Sequence, residues 1–99
     1  MPVDRPEDLM AAQVVVSEHV ATRSVDDELV LLNFDSETYY GLDAVGARML
    51  EAVQATGTVG EALAVISQEF EVDERTLRDD LFELVSQLIA EGLVELRRS

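Results

Sequence analysis

Ser17 and His19 are the residues of this chain whose types could support nucleophilic catalysis, because a histidine base activates the serine in many hydrolase sites. Both lie in a β-rich segment, so a strand would place them on one face. A working nucleophile also needs an oriented base and an oxyanion site, and the sequence has no strand-turn-helix elbow and no phosphate-cradling glycine loop. We therefore predict that His19, the only histidine, is a structural or surface residue and that the protein is not an enzyme.

A group of acids before and at the start of the third predicted helix could attract a hard cation. Its members are Glu69, Glu71, Asp73 and Glu74. They lack the spacing and the central glycine of an EF-hand loop. A solvated acidic turn is the better interpretation, and we predict neither a metal site nor a cofactor.

The whole chain is strongly acidic, with 21 Asp and Glu against 7 Lys and Arg and a formal net charge of −14 over 99 residues. All seven bases are arginines. Nucleic-acid binding depends on basic side chains that displace counterions from phosphates, so the composition argues against a nucleic-acid partner. A basic peptide or protein would instead be attracted to such a surface.

The sequence also limits where the protein works. It has no cysteine, which excludes disulfides, thiolate metal ligands and a cysteine nucleophile. The first residues carry three acids before an apolar run and do not read as a signal peptide, and no apolar run approaches the length of a membrane span. We expect a cytoplasmic protein without a membrane partner.

The elements that must position the candidate residues begin with a flexible segment over residues 1–12, followed by a single domain over residues 13–99. Residues 13–24 are β-rich, and their alternation from residue 20 predicts a first strand. The apolar run over 28–34, which includes Phe34, predicts a well-buried second strand. Residues 38–42 predict a short third strand, whose pleat places Tyr39 and Tyr40 on opposite faces.

After the third strand the apolar period changes from two to about 3.6, which indicates helices. Asp43 is placed to cap a first helix that ends before Thr56. The predicted inner face of this helix carries Leu42, Val45, Met49 and Val53. Thr58 and Glu61 form a capping box that predicts a second helix. The inner stripe of the second helix carries Val59, Leu63, Ile66 and Phe70.

A third helix is predicted between the N-cap Asp73 and the C-cap Gly92. Its inner stripe carries Leu77, Leu81, Leu84 and Leu88. A second row, extended in polar form by Arg78, carries Phe82, Val85 and Ile89. Two interpretations stay open: a helix packed against two neighbours needs two rows, or the Phe82 side is partly uncovered and lines a groove.

The order of three strands and three helices from about residue 20 to residue 96 resembles the PqqD-like family. The segments that carry the resemblance are LLNFDSETYYGLDAVGARMLEAV at 31–53, TVGEA at 58–62, DDLFELV at 79–85 with Leu88, and AEGLV at 90–94. Members of this family are called RiPP recognition elements, because they hold the precursors of ribosomally made, post-translationally modified peptides. The resemblance implies an α+β, winged helix-turn-helix fold with an N-terminal three-stranded antiparallel sheet followed by three helices.

The resemblance also implies a binding mode, in which the leader segment of a precursor adds as a strand beside the third strand and lies against the third helix. In this chain the resemblance implies two groups of peptide-binding residues. The first group offers its backbone to the leader: Thr38, Tyr39, Tyr40, Gly41 and Leu42. The second group forms a pocket: Arg75, Arg78, Asp79 and Phe82. One of the two tyrosines would complete the pocket. A slip of one residue in strand register would exchange them, so the sequence leaves that choice open.

Residues 35–40, DSETYY, lack the proline-containing turn of members devoted to pyrroloquinoline quinone synthesis. The chain looks more like the discrete recognition proteins of lasso-peptide pathways. There the implied role is to bind the leader and present it to a separate cysteine peptidase or another modifying enzyme, without making or breaking a bond. The alternative within the family is a peptide chaperone in another PqqD-dependent pathway, with a radical enzyme or in pyrroloquinoline quinone synthesis.

Two rivals come from other functional classes. A DNA-binding winged-helix regulator would use residues 74–91 as its recognition helix, but this segment carries two arginines against five acids, the wrong sign for a major groove. An assembly subunit would instead dimerise through its sheet edge. We expect a monomer or a weak homodimer.

Overall fold

The computed structural model describes residues 9–97, so the first eight residues of the predicted flexible segment and the last two of the predicted domain lie outside it. Between residues 13 and 97 the chain forms five strands and three helices. In chain order they are β1 Gln13–Val16, β2 Val20–Val25, β3 Glu28–Asn33, β4 Thr38–Leu42, α1 Ala44–Ala55, α2 Val59–Ile66, α3 Glu74–Ala90 and β5 Val94–Arg97. The α+β class and the three predicted helices are confirmed.

The main sheet has three antiparallel strands in the order β2-β3-β4. This confirms the predicted three-stranded sheet that precedes the helices. Leu31, at its centre, pairs with Thr22 on one side and with Tyr40 on the other, so these three side chains share a face. Leu31 is fully buried, which identifies this face as the inner one that packs on the helices.

A second, two-stranded sheet was not predicted. It pairs β1 with β5 in antiparallel register, from Gln13 opposite Arg97 to Val16 opposite Val94. Residues 13–24 are therefore two strands, separated by a turn at Glu18 and His19. A local sequence pattern cannot reveal this pairing, because its two partners lie at opposite ends of the chain.

Residues 9–12, which the sequence places in the flexible N-terminal segment, pack on the start of α2. Leu9 and Ala12 are buried, at 4% and 1% exposure. The Ala12 carbonyl accepts a hydrogen bond of 2.9 Å from the Val59 amide. This part of the chain contributes to the core.

The core lies between the inner face of the main sheet and the three helices. Each helix buries one stripe: Met49, Leu50, Ala52 and Val53 on α1, Val59, Ala62, Leu63 and Ile66 on α2, and Leu77, Leu81, Val85 and Leu88 on α3. The stripes agree with most of the predicted faces. Phe70 is half-buried beyond the end of α2, and Leu84 is half-buried beside the stripe of α3.

Two residues predicted to be buried are exposed. Phe34, at 60% exposure, follows Asn33, whose side chain points inward, so the strand period turns Phe34 outward. Val45 is 46% exposed, because the first turn of α1 presents Gly46 to the Leu42 side chain instead. The prediction that β3 is well buried is also wrong for its outer face, where two side chains are only half-buried.

Side chains and one glycine fix the ends of the helices. Asp43 caps α1 as predicted, because its Oδ1 accepts from the Gly46 amide at 2.8 Å. Thr58 Oγ1 accepts from the Glu61 amide at 3.1 Å, whereas the Glu61 carboxylate accepts from Gly57 rather than closing the capping box on Thr58.

The third helix ends as predicted but begins differently. Asp73 occupies the N-cap position of α3, yet its side chain makes no capping hydrogen bond, contrary to the prediction. At the C-terminal end Gly92 has a φ of 72°, the left-handed conformation that favours glycine after a helix.

Candidate functional site

The strand β4 forms one edge of the main sheet. Its bounds, Thr38–Leu42, agree with the prediction. Among residues 9–97 no strand pairs with its outer side. A Cβ added at Gly41 would meet no atom within 4 Å, so the outer face of β4 is open at this position. An edge strand leaves alternate backbone N–H and C=O groups free to pair with another extended chain.

The register of β4 decides which tyrosine faces the helices. Tyr40 pairs with the buried Leu31 and shares its inner face, where it is half-buried and packs against the core. Its hydroxyl donates a hydrogen bond of 2.5 Å to Oε1 of Gln87 on α3. Tyr39 lies on the outer face and is 75% exposed. Of the two tyrosines between which the sequence could not decide, Tyr40 is therefore the one that could line a groove on the helical side.

Two contacts fix the direction of α3 relative to β4. Asn33, which pairs with Thr38, donates from Nδ2 to the Glu91 carbonyl at 3.4 Å, and Tyr40 contacts Gln87. A step of two residues along β4 covers about 7 Å, and a step of four residues along α3 covers about 6 Å. The strand and the helix therefore lie side by side and run in opposite directions.

The contact with Gln87 also identifies the flank of α3 that faces β4. At about 100° per residue, the side chains one and two turns before Gln87 on this flank are Glu83, Leu84 and Asp80. Leu84 is half-buried and packs against the core, and the two acids are exposed. We call the space between β4 and this flank the β4–α3 groove. Tyr40 on the strand contacts Gln87 on the helix across it, and Leu84 lies on the same flank of α3 as Gln87.

The four helix residues predicted from the family resemblance lie elsewhere on α3. Phe82 is about 140° around the helix axis from Gln87, half-buried and packed against the core. Arg75, Arg78 and Asp79 are exposed and lie within about 60° of Phe82. These four form the Phe82 flank, and their peptide-binding role stays a prediction. Sequence reasoning missed Gln87, since a single polar residue in a helix carries no signal of the strand that it contacts.

The opposite edge of the main sheet is formed by β2, which also has no strand partner on its outer side among residues 9–97. Here β2, its hairpin to β3 and the helix α1 enclose a cleft of about 430 Å³. It is lined by Thr22, Ser24, Asp26, Asp27, Glu28, Leu29, Ala44, Ala47, Arg48, Glu51 and Gln54. We call it the β2–α1 cleft.

The cation in the β2–α1 cleft is already paired. Arg48 donates from Nε and Nη2 to the two carboxylate oxygens of Glu69, at 2.8 and 2.5 Å, and its Nη1 is 3.4 Å from Oε1 of Glu51. The hydrogen bond from Arg48 lowers the pKa of the Glu69 carboxyl below its ordinary value. The same bond raises the pKa of Arg48 and keeps its charge fixed.

His19 contacts the end of α3. Its Nε2 is 3.1 Å from the Gly92 carbonyl, and its Nδ1 is 3.7 Å from Oδ2 of Asp35. Within residues 9–97 no three His, Asp or Glu side chains are grouped so that they could hold a metal ion. No helix in the same part of the chain is long and apolar enough to cross a lipid bilayer.

Comparison with known proteins relates this arrangement to a family. The family described as "Coenzyme PQQ synthesis protein D (PqqD)" matches residues 28–94. TbiB1, solved in complex with the TbiA(beta) leader peptide, is similar over 81% of this chain and 93% of its own, with 35% identity and a TM-score of 0.75. No curated protein matches the sequence.

A second solved structure, lasso peptide synthetase B1 complexed with the leader peptide, shares the fold. It covers 85% of this chain and 99% of its own, with 20% identity and a TM-score of 0.77. Both matches therefore cover nearly the whole of the similar protein's own chain.

Proposed function

We propose, from the premise that this chain belongs to the PqqD family, that it binds the leader segment of a ribosomally synthesised precursor peptide in lasso-peptide biosynthesis. The observation that carries the proposal is the free outer side of β4 beside α3. The similarity to TbiB1, a protein solved with a leader peptide, supports it at 35% identity.

Strand addition gives the peptide two kinds of interaction. The free backbone groups of Thr38–Leu42 can hydrogen-bond to an extended guest, which supplies affinity independently of sequence. Alternate side chains of the guest then point toward the helices, where Tyr40 and Leu84 offer apolar surface and Gln87 a polar end. This alternation would give the site its specificity.

The Phe82 flank is retained as a proposed second contact surface. The residues predicted there, Arg75, Arg78, Asp79 and Phe82, could contact a leader only if it continues past the edge strand and around α3. The guest would then need more residues than the five that pair with β4. The binding role of each of these side chains is open to direct test by substitution.

The proposed role is recognition without catalysis. The protein would hold the leader and present it to a separate cysteine peptidase or another modifying enzyme, so that its contribution is local concentration and orientation. We place this step in the cytoplasm and expect a monomer or weak homodimer. We also propose that the helices and the main sheet form a winged helix-turn-helix.

The direct test is to titrate the protein with a fluorescently labelled leader peptide, taken from short open reading frames found by sequencing around its gene. We expect saturable binding by fluorescence polarisation, with a scrambled leader as control. Hydrogen exchange should slow at residues 38–42 and stay unchanged at residues 20–25, the other sheet edge. Absence of saturable binding, or protection at the β2 edge instead, would contradict the proposal.

A second candidate arises from the description of the matching family, which refers to coenzyme PQQ synthesis. In that case the guest would be the peptide precursor of that coenzyme, bound at the same edge. The two candidates differ only in the peptide, so parallel titration with both precursors separates them. We expect the lasso-type leader to bind more tightly.

A further inference from the structure

The inner face of the main sheet is covered unevenly. Thr22 and Ser24 of β2 pair with Leu31 and Leu29 of β3, so all four side chains point to the same side. Leu31 is fully buried, yet Thr22 and Ser24 are exposed. The helices therefore cover β3 and the start of β2, where Val20 packs against the core, but leave Thr22 and Ser24 uncovered. The space beside these two residues is the β2–α1 cleft.

The floor and the rim of this cleft differ in chemistry. Ala44 and Ala47 of α1 and Leu29 of β3 provide small apolar surface at the bottom. The hydroxyls of Thr22 and Ser24 stand above it as hydrogen-bond acceptors. A volume of about 430 Å³ lies within the range of sites that hold small ligands or a long side chain.

The charge of the rim is negative. Asp26, Asp27 and Glu28 lie in the hairpin on one side and Glu51 lies on α1 on the other. Arg48 also lines the cleft, where its guanidinium bonds both carboxylate oxygens of Glu69 and lies 3.4 Å from Glu51, so one positive charge faces these four acids. A positively charged guest would therefore meet acids on both sides of the cleft.

We propose that the β2–α1 cleft is a second docking surface, which takes an arginine side chain from a basic segment of another protein. The aliphatic part of an arginine would lie on the two alanines, and its guanidinium would donate to Glu51, the hydroxyls and the hairpin acids. Arginine fits better than lysine, because its planar group offers five donors to acceptors on two sides.

The site is separate from the β4–α3 groove, because β3 lies between the two edge strands. Adjacent strands are about 4.8 Å apart, so an extended peptide on β4 leaves the β2 side accessible. A partner could thus bind while a guest is held at the other edge. The β2–α1 cleft would bind an arginine side chain whether or not a peptide occupies β4.

The test uses the whole protein labelled with ¹⁵N and the probe acetyl-Ala-Arg-Ala-amide, with the citrulline peptide as its uncharged control. With the arginine peptide, we expect the amide chemical shifts of Thr22, Ser24, Ala47 and Glu51 to change and to saturate at millimolar peptide concentration. The citrulline peptide should change none of them. A single exposed ion pair contributes about 0.2 to 1 kcal/mol, so Glu51→Gln should weaken binding by a factor of about 1.4 to 5. Glu83→Gln on α3 removes the same charge elsewhere and should leave the affinity unchanged.

A second pair of variants tests the shape of the cleft rather than its charge. Ala47→Leu fills the floor and should abolish the localised shifts, whereas Ala64→Leu, on an exposed position of α2, should not. Each variant is first checked for a native-like spectrum. If Ala47→Leu does not fold, the two charge variants still decide the question.

Three outcomes would overturn the proposal. Shifts spread over all acidic surfaces, or equal weakening by Glu51→Gln and Glu83→Gln, would indicate general electrostatic attraction. Concentration-dependent dimerisation that Glu51→Gln abolishes would assign the cleft to a second copy of this chain. Shifts at Thr22 and Ser24 caused by the leader peptide would make it part of the peptide site.

Discussion

The two edges of the main sheet have the same unpaired backbone but different surfaces beneath it. On the β4 side, the inner face carries Tyr40, whose hydroxyl donates a hydrogen bond to Gln87 on α3. On the β2 side it carries Thr22 and Ser24, which stand over an acidic cleft. Both edges could accept a strand, so the side chains below each edge decide what it binds. We therefore expect apolar side chains of a peptide at β4 and a cationic group at β2.

The largest expected effect comes from Leu31 on the central strand β3, which pairs with a residue of each edge strand. Leu31 is fully buried between Thr22 and Tyr40, so Leu31→Ala should lower the free energy of unfolding by about 2 to 5 kcal/mol. Urea denaturation at equilibrium measures the change. Phe34→Ala, at an exposed position beyond the end of the same strand, should stay within about 0.5 kcal/mol. Similar losses in both variants would mean that the inner face is not the stabilising one.

The next prediction separates the two faces of β4. Tyr40→Ala should weaken leader binding by about 1 to 3 kcal/mol, because it removes both apolar surface and the bond to Gln87 from the wall of the groove. Tyr39→Ala, at the adjacent and exposed position, is the matched control and should cost less than about 0.5 kcal/mol. Fluorescence polarisation with labelled leader measures both. A larger loss in Tyr39→Ala would place the guest side chains on the outer face.

A smaller effect decides between the two flanks of α3. If the leader lies in the β4–α3 groove alone, Leu84→Ala should weaken binding by about 1 kcal/mol and Phe82→Ala should have little effect. If the leader also reaches the Phe82 flank, both variants should weaken it. Both side chains are half-buried against the core, so circular dichroism and thermal melts must first show that each variant is folded. Loss with Phe82→Ala alone would contradict the position of the groove.

Local sequence signals predicted the strands and helices around the two sheet edges better than they predicted the contacts between them. The bounds of β4, the cap of α1 by Asp43 and the left-handed Gly92 depend on adjacent residues, and all three were predicted correctly. The contact of Tyr40 with Gln87 depends on strand register and on the rotation of α3, which join distant parts of the chain.

The features that the sequence did not predict have the same origin. The pairing of β1 with β5 joins residues about 80 positions apart, beyond the reach of any local pattern. The β2–α1 cleft exists because α1 does not cover Thr22 and Ser24 of β2. The sequence around these two residues predicts a half-buried strand and gives no sign of the cleft. The family resemblance predicted a docking edge at β4 and a pocket on the Phe82 flank of α3, and the binding role of both stays a prediction.

The smallest expected effect concerns the ion pair between Arg48 and Glu69 near the β2 edge. Because the pKa of Glu69 is lower in the folded than in the unfolded chain, the unfolded state binds more protons as the pH falls toward the folded value. The stabilisation is therefore present above the ordinary pKa of glutamate and is lost as the pH falls through the folded pKa. Melting temperatures measured from neutral to acidic pH should show this loss in the wild type and less of it in Glu69→Gln.

The same variant should also change the cleft. Without the Glu69 charge, Arg48 is free to turn toward Glu51, the hydrogen-bond partner that it retains at 3.4 Å, and to offset the acids on the rim. At neutral pH, binding of the arginine probe should then weaken by less than the factor of about 1.4 to 5 expected for Glu51→Gln, because Glu51 shares its charge with Arg48 but is not lost. Leader binding at β4 should stay unchanged. A change at both edges would show that the two sites share an electrostatic field, and tighter probe binding would mean that Arg48 does not compete for the cleft.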